Sequence, residues 1–214
     1  MLYHYPNARI LIFSKAPIPG KAKTRLIPEL GEQGAADFSA RLTQYMVQQI
    51  VESQLCPFQL CCAPDTEHEL FHQLQEQYGV ELKQQQGADL GARMENALAD
   101  GLESSPVVLL IGSDCPAISA DYLEQAIQYL NRKEVSCVLG PAEDGGYVLV
   151  GQSVLNKMIF EKISWGTADV LQQTRNILEA TGKKYVELAT LWDVDRPEDI
   201  LPAQRLLNGV AETP

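Results

Sequence analysis

The sequence lacks a long apolar run, a paired-cysteine framework and an excess of positive charge. No apolar stretch approaches the ~20 residues needed to span a bilayer, so no membrane partner is expected. The opening Met1-Leu2-Tyr3-His4-Tyr5-Pro6-Asn7 has no basic stretch leading into a long apolar core, which argues against a signal peptide and for a cytoplasmic protein. The five cysteines are odd in number and contain no Cys-x-x-Cys pair. They read as reduced, mostly buried residues and not as a disulfide scaffold. A net charge of -11 speaks against broad nucleic-acid binding, which needs a basic face. It leaves room for a small anionic substrate in a locally basic pocket. Two phosphate motifs are missing. Gly20-Lys21 lacks the earlier glycine of a Walker A loop and is followed by Ala22, and no G-x-G-x-x-G occurs.

What is present is a regular alternation of strand-like and helix-like segments. With 214 residues and 45% hydrophobic content, the chain can bury one full core, and residues 1–214 read as a single domain. Strands are expected at Ile10–Phe13, Phe58–Ala63, Val80–Lys83, Val107–Ile111, Val135–Leu139, Tyr147–Val150 and Tyr185–Leu188. Helices are expected at Glu32–Ser53, Thr66–Tyr78 (capped by Asp65 or Thr66), Asp89–Leu102, Ser119–Asn131, Ala168–Ala180 and Pro197–Leu207. The alternation implies an α/β domain with a mixed, mainly parallel sheet.

Against the acidic whole, the stretch after the first strand reverses sign. Lys15, Lys21, Lys23 and Arg25 fall within eleven residues of a Pro/Gly-rich loop. Loops at the carboxyl end of the first strand bind ligands in α/β proteins. Cations and backbone amides gathered there suit a polyphosphate; the bland alternative is a solvated basic loop.

Carboxylates recur at strand ends. Asp114, in Gly112-Ser113-Asp114-Cys115-Pro116, follows the most apolar strand and suits either a hard cation such as Mg²⁺ or a turn. Asp193 and Asp195 follow the last strand; either could complete a metal site, or Asp195 could cap the helix begun by Pro197. Glu198 and Asp199 read as complements to that helix's dipole. Glu143-Asp144-Gly145-Gly146 reads equally as a hairpin turn or as an acceptor-orienting loop, with Glu143 or Asp144 as a general base. Gly87-Ala88-Asp89-Leu90-Gly91-Ala92-Arg93 enters a helix and could meet a base or phosphate. Trp165 is either a lid or a core residue. His68-Glu69-Leu70-Phe71-His72 matches the zinc-protease pattern, but His4 is the only other histidine and the surrounding helix is polar, so an exposed helix face is preferred.

Read in order, six motifs between residues 17 and 199 resemble one family. They are Pro-x-Pro-Gly-x-x-Lys-Thr-Arg-Leu, Gly-x-Asp-Leu-Gly-x-Arg-Met, Gly-Ser-Asp-Cys-Pro, Gly-Pro-Ala-Glu-Asp-Gly-Gly-Tyr, Trp-Gly-Thr and Asp-Val-Asp-x-Pro-Glu-Asp. The chain resembles a bacterial branch of the nucleotide-diphospho-sugar transferase (glycosyltransferase A) superfamily, associated with arsenosugar biosynthesis and radical-SAM proteins. More distantly it is similar to phospholactate and molybdenum-cofactor guanylyltransferases, although it carries Glu-Asp-Gly-Gly-Tyr where those have their own acceptor loop.

The resemblance implies a three-layer α/β/α sandwich of the glycosyltransferase A type and a Mg²⁺- or Mn²⁺-dependent transferase. Donor phosphates would lie on Pro19, Gly20, Lys21, Lys23, Thr24 and Arg25. The nucleoside would lie along Gly87, Asp89, Gly91 and Arg93, and Asp114 with Asp193 or Asp195 would hold the metal. Gly145, Gly146, Glu143 and Asp144 would face a small-molecule acceptor. Lys23, Arg25, Asp114, Glu143 and Asp144 are the expected catalytic set. Glycosyl transfer from a nucleotide sugar is the leading expectation, and nucleotidyl transfer from a triphosphate with pyrophosphate release is the alternative.

Overall fold

In the computed structural model, residues 2–209 are described. Met1 and residues 210–214, the two ends of the expected domain, lie outside that range. Seven strands form one sheet in the order β3-β2-β1-β4-β6-β5-β7. They are β1 (Ala8–Lys15), β2 (Phe58–Ala63), β3 (Glu81–Gln84), β4 (Val107–Gly112), β5 (Cys137–Pro141), β6 (Tyr147–Gln152) and β7 (Tyr185–Glu187). Only β6 runs antiparallel to its neighbours, β4 and β5. The helices are α1 (Ile27–Ser53), α2 (Glu69–Tyr78), α3 (Leu90–Ser104), α4 (Ala120–Asn131), α5 (Val170–Ala180) and α6 (Ile200–Leu207).

The central strands are apolar in unbroken runs because both their faces are covered. Side chains alternate across a strand, and the packing follows that parity. Ile10, Ile12, Leu60, Leu109 and Ile111 pack on one face with Met46 and Val47 of α1, Phe71 of α2 and Ile127 of α4. Leu11, Cys61, Val108 and Leu110 pack on the other with Met94 and Leu98 of α3 and Leu171 and Leu178 of α5. All five cysteines are buried and unpaired.

Chain order places a crevice. From β1 the chain steps outward through β2 and β3, then returns to the other flank of β1 as β4. Phe13 is register partner to Gly112, and the Ser113 N–H donates to the Phe13 carbonyl at 3.0 Å. The loops leaving β1 and β4 therefore diverge at the point where strand order reverses, where ligands bind in such sheets.

Several boundaries move from their sequence-based positions. The first long helix begins at Ile27 and is interrupted at Gly31 (φ 70°, ψ 170°), which joins a short turn to the amphipathic part. The second starts at Glu69, with neither Asp65 nor Thr66 as its cap. His68 takes that place, its Nδ1 accepting from the Leu70 N–H at 3.2 Å. The first histidine of the His-Glu-x-x-His pattern is thus a capping residue outside the helix. The last helix is split into a 3-10 turn at Pro197–Asp199 and α6. There Asp199, not Asp195, caps the turn: its Oδ2 accepts from the N–H groups of Asp195 and Arg196 at 2.9 and 2.7 Å. Trp165 is part of the core layer, edge-on to Tyr147 with ring centroids 6.3 Å apart.

Candidate functional site at the β1–β4 crevice

A cleft of about 940 Å³ opens at the carboxyl ends of β1 and β4. Its wall is built largely from the basic loop. Leu26, fully buried with Phe38, Leu42, Val194 and Ala203, anchors the far end of that loop. Such burial is worth about 1.5–3 kcal/mol. Ala22, also buried, pins the middle, and its N–H closes a turn onto the Ile18 carbonyl at 3.0 Å. Thr24 and Arg25, between these anchors, and Lys21, just before Ala22, stay exposed, while Lys15 donates to the Lys21 carbonyl at 2.7 Å.

Two ion pairs tie the loop to distant segments. Lys23 donates to Asp114 Oδ2 at 2.9 Å and to the Val194 carbonyl. Arg25 pairs with Asp195. Lys23 does so from a left-handed backbone (φ 45°, ψ 48°), a conformation that costs a non-glycine residue energy and that clusters at functional sites. Five cations, Lys15, Lys21, Lys23, Arg25 and Arg93, line the cleft against two carboxylates, Asp114 and Asp195. In a protein of net charge -11 this is a pronounced local reversal.

The carboxylates divide electrostatically. Enclosure alone would raise the pKa of Asp114, but the Lys23 ammonium and its hydrogen bond hold it below the usual value. Asp193 goes the other way. Burial, then the charges of Asp114 and Asp144, push it up to about 6, with Lys23 acting in opposition. Among the described residues no group of three or more His, Cys, Asp or Glu side chains has the placement of a metal cage.

The floor of the cleft is a chain of hydroxyls. Thr43 Oγ1, from the middle of α1, lies 3.0 Å from Ser14 Oγ and 3.2 Å from both Ser113 Oγ and the Ser39 carbonyl. Ser14 and Thr43 are buried. Beside them Gln85 donates to the Ser14 and Cys61 carbonyls at 3.3 and 2.8 Å. Leu90, Arg93 and Met94 of α3 form the opposite wall.

The sequence-selected residues sort clearly by place. Lys21, Lys23, Thr24, Arg25, Arg93, Asp114 and Asp195 line the cleft. Pro19 and Gly20 sit in the same loop just outside the lining, and Gly20 supplies a turn at φ 75°. Gly87, Asp89 and Gly91 shape the entry to α3. Asp89 caps it by accepting from the Ala92 N–H at 2.8 Å, and a Cβ on Gly91 would come within 2.6 Å of both the Phe160 carbonyl oxygen and Trp165 Nε1. Glu143, Asp144, Gly145 and Gly146 form the turn between β5 and β6, outside the lining. Asp144 Oδ1 accepts from the Gly146 N–H at 2.8 Å, as a turn aspartate does. Its charge still reaches Asp193. Ser14, Thr43, Ser113 and Gln85 went unselected. The hydroxyl of Ser14 at the end of an apolar run was the one available signal.

Comparison with known proteins places the fold. A protein of Desulfovibrio desulfuricans G20, provisionally named a nucleotide-diphospho-sugar transferase, superposes with a TM-score of 0.80 at 26% identity, over 96% of this chain and 98% of that one. The 4-diphosphocytidyl-2C-methyl-D-erythritol synthase of Anaerococcus prevotii DSM 20548 gives 0.62 at 13% identity, over 95% and 99%. The inositol-1-phosphate CTP transferase of T. maritima gives 0.56 at 16%, over 98% of each chain. No curated protein matches by sequence. The chain has the nucleotide-diphospho-sugar transferase fold, with the mixed, mainly parallel sheet expected of it. Residues 46–167 match the family described as "Uncharacterized protein conserved in bacteria (DUF2064)", and the chain belongs to that family.

Proposed function

We propose that the protein is a transferase drawing on a nucleotide donor whose phosphates lie along the loop from Ala16 to Leu26. The observation that carries this reading is the cleft's charge, five cations against two carboxylates at the switch point of an acidic α/β protein. The names of the D. desulfuricans, A. prevotii and T. maritima proteins, each of which refers to a nucleotide or a nucleotide-derived group, support it.

A divalent cation, Mg²⁺ or Mn²⁺, fits this site as an ion held mainly by substrate phosphates. Mg²⁺ commonly takes one or two carboxylates and completes its shell with phosphate oxygens and water. Asp114 supplies one such carboxylate. Asp193, crowded by Asp114 and Asp144, marks a local excess of negative charge that a cation relieves. Asp195, engaged by Arg25, is the weaker of the proposed ligands. When bound, the ion would neutralise charge on the transferring phosphate.

The chain's own residues do the rest. Lys21 and Arg25 hold phosphate oxygens and orient the donor; Arg93, Leu90 and Met94 border the nucleoside side. Asp144, whose charge reaches Asp193, and Glu143, whose N–H donates to the Leu191 carbonyl, lie outside the cleft lining and would meet an acceptor approaching from that side. Rate enhancement then comes from alignment and fixed positive charge at the leaving group.

The charge of the cleft favours nucleotidyl transfer, because a triphosphate carries one more phosphate than a nucleoside-diphosphate sugar for these cations to meet. Sequence resemblance and the name of the D. desulfuricans protein favour glycosyl transfer as the second reading. Each nucleoside triphosphate, tested with small acidic and phosphorylated acceptors and Mg²⁺, should give acceptor-dependent pyrophosphate. Nucleoside diphosphate released from a nucleotide sugar would support the second reading. Neither product, across the full panel, would overturn both.

A further inference from the structure

Lys23 occupies an unusual position for a phosphate-binding lysine. Its side chain is 13% exposed, well inside the cleft wall, whereas its partner Asp114 is 41% exposed. The ammonium is committed to Asp114 Oδ2 and the Val194 carbonyl. It is also the cation that offsets the combined charge of Asp114 and Asp144 at Asp193. A lysine ammonium is a compact, mobile charge on a flexible stem and can exchange one anionic partner for another.

The loop carrying Lys23 has the means to move. Positive-φ Gly20 (φ 75°) lies on one side of it and Gly31 (φ 70°) on the other, and a Cβ at Gly31 would meet nothing within 4 Å. Lys23 itself sits in the left-handed region, so breaking its contacts would release backbone strain. Few residues bind the segment to the sheet. Leu26 and Ala22 are buried in it, Lys15 of β1 donates to the Lys21 carbonyl, and the loop's own charged side chains tie it through Lys23 and Arg25.

We infer that Lys23 is a built-in counter-ion that holds the place of the divalent cation at Asp114 until a phosphate draws it away. This inference rests on the proposed nucleotide-dependent function. Ammonium and metal compete for one carboxylate, and phosphate and Asp114 compete for one ammonium. Binding of metal and of polyphosphate is therefore mutually reinforcing, and the coupling is reciprocal. No covalent step is involved. The device keeps Asp114 neutralised in the free protein and admits the metal together with the donor.

Two probes test this without any knowledge of substrate: Mn²⁺, followed by the electron-spin signal of the free ion, and inorganic tripolyphosphate, followed by calorimetry. In the natural protein, saturating tripolyphosphate should tighten Mn²⁺ binding by about tenfold, within the usual range of such couplings. Lys23→Met should bind Mn²⁺ by itself about tenfold more tightly than the natural protein, with the coupling largely gone. Lys23→Asn, whose short side chain tolerates the left-handed backbone, gives the same reading should the methionine variant fold poorly. Lys21→Met should weaken tripolyphosphate binding yet leave Mn²⁺ binding alone unchanged, because Lys21 does not touch Asp114. Unchanged or weaker Mn²⁺ binding in both Lys23 variants, with tripolyphosphate still bound by the natural protein, would overturn the inference and leave the proposed function standing. Failure of the natural protein to bind either probe would instead remove the function and the inference with it.

Discussion

Arg25 and Asp195 lie 170 positions apart in the chain and meet as an ion pair at the rim of the cleft. Both are substantially exposed, at 66% and 32% of the side chain. Exposed pairs contribute only about 0–1 kcal/mol to stability. Arg25→Ala should therefore leave the unfolding midpoint nearly unchanged while weakening tripolyphosphate binding, since a guanidinium–phosphate contact is a strong, charge-assisted one. Asp195→Asn should do the reverse and strengthen binding by freeing Arg25. Calorimetric titration and thermal unfolding of the two variants separate these effects. A large loss of stability in Arg25→Ala, with binding intact, would make the pair structural.

The hydroxyl chain under the cleft answers to stability first. Thr43→Val keeps the shape of the side chain but removes the oxygen shared by Ser14 and Ser113. A buried polar group left without a partner costs about 1–3 kcal/mol. Urea unfolding should show a loss of that size with unchanged slope, and Thr43→Ser should recover most of it. A neutral Thr43→Val would mean that Ser14 finds another partner.

Hydropathy made much of this readable in advance. Val107–Ile111 is a buried strand whichever way it faces, because a centre-sheet strand is covered on both sides, and the cation cluster after β1 is visible in any charge plot. The Lys23 and Arg25 pairings are not legible in the same way: the first joins the loops leaving neighbouring β1 and β4, and the second reaches the segment after β7, which is held there by the Val194 N–H donating to the Asp114 carbonyl at 2.9 Å. His68 was expected on an exposed helix face, and it stands instead just outside that helix as its cap, a boundary that hydropathy alone does not resolve. Asp89, Gly91 and Asp144 were selected by resemblance for binding roles, and local geometry gives each a capping, close-packing or turn role of its own.

Asp193 makes stability depend on pH in an identifiable direction. Its pKa is raised to about 6 from a carboxylate's ordinary 3.8, first by burial and then by Asp114 and Asp144. Between those values the folded protein holds a proton that the unfolded chain has released, so stability falls as pH rises through this window. Asp114, lowered by Lys23, acts oppositely and only under more acidic conditions. Asp193→Asn should flatten the dependence between about pH 4 and pH 6 and raise the melting temperature at pH 7. Melting curves taken across pH 4 to 8 for both proteins check this. A parallel displacement of the two profiles would assign the slope to other groups.

The turn between β5 and β6 gives the sharpest steric test. Gly145 has φ 89°, and a Cβ placed there would lie 2.2 Å from the Ala168 carbonyl oxygen. The Gly145 carbonyl in turn accepts from the Leu171 N–H at 2.9 Å, so this glycine is where the start of α5 rests on the sheet. Gly145→Ala adds both an unfavourable backbone and an overpacked contact, and should cost at least the ~1–3 kcal/mol typical of overpacking. Gly146 differs, for its nearest neighbour would be the Asp144 carboxylate at 3.1 Å, a side-chain contact that a shift of a few tenths of an ångström relieves and not a backbone one. Gly146→Ala should accordingly be the milder change. Equal stability losses, measured by urea unfolding, would contradict the packing of α5 against this turn. A stable Gly145→Ala with altered acceptor use would move the glycine pair from the scaffold to the reacting centre.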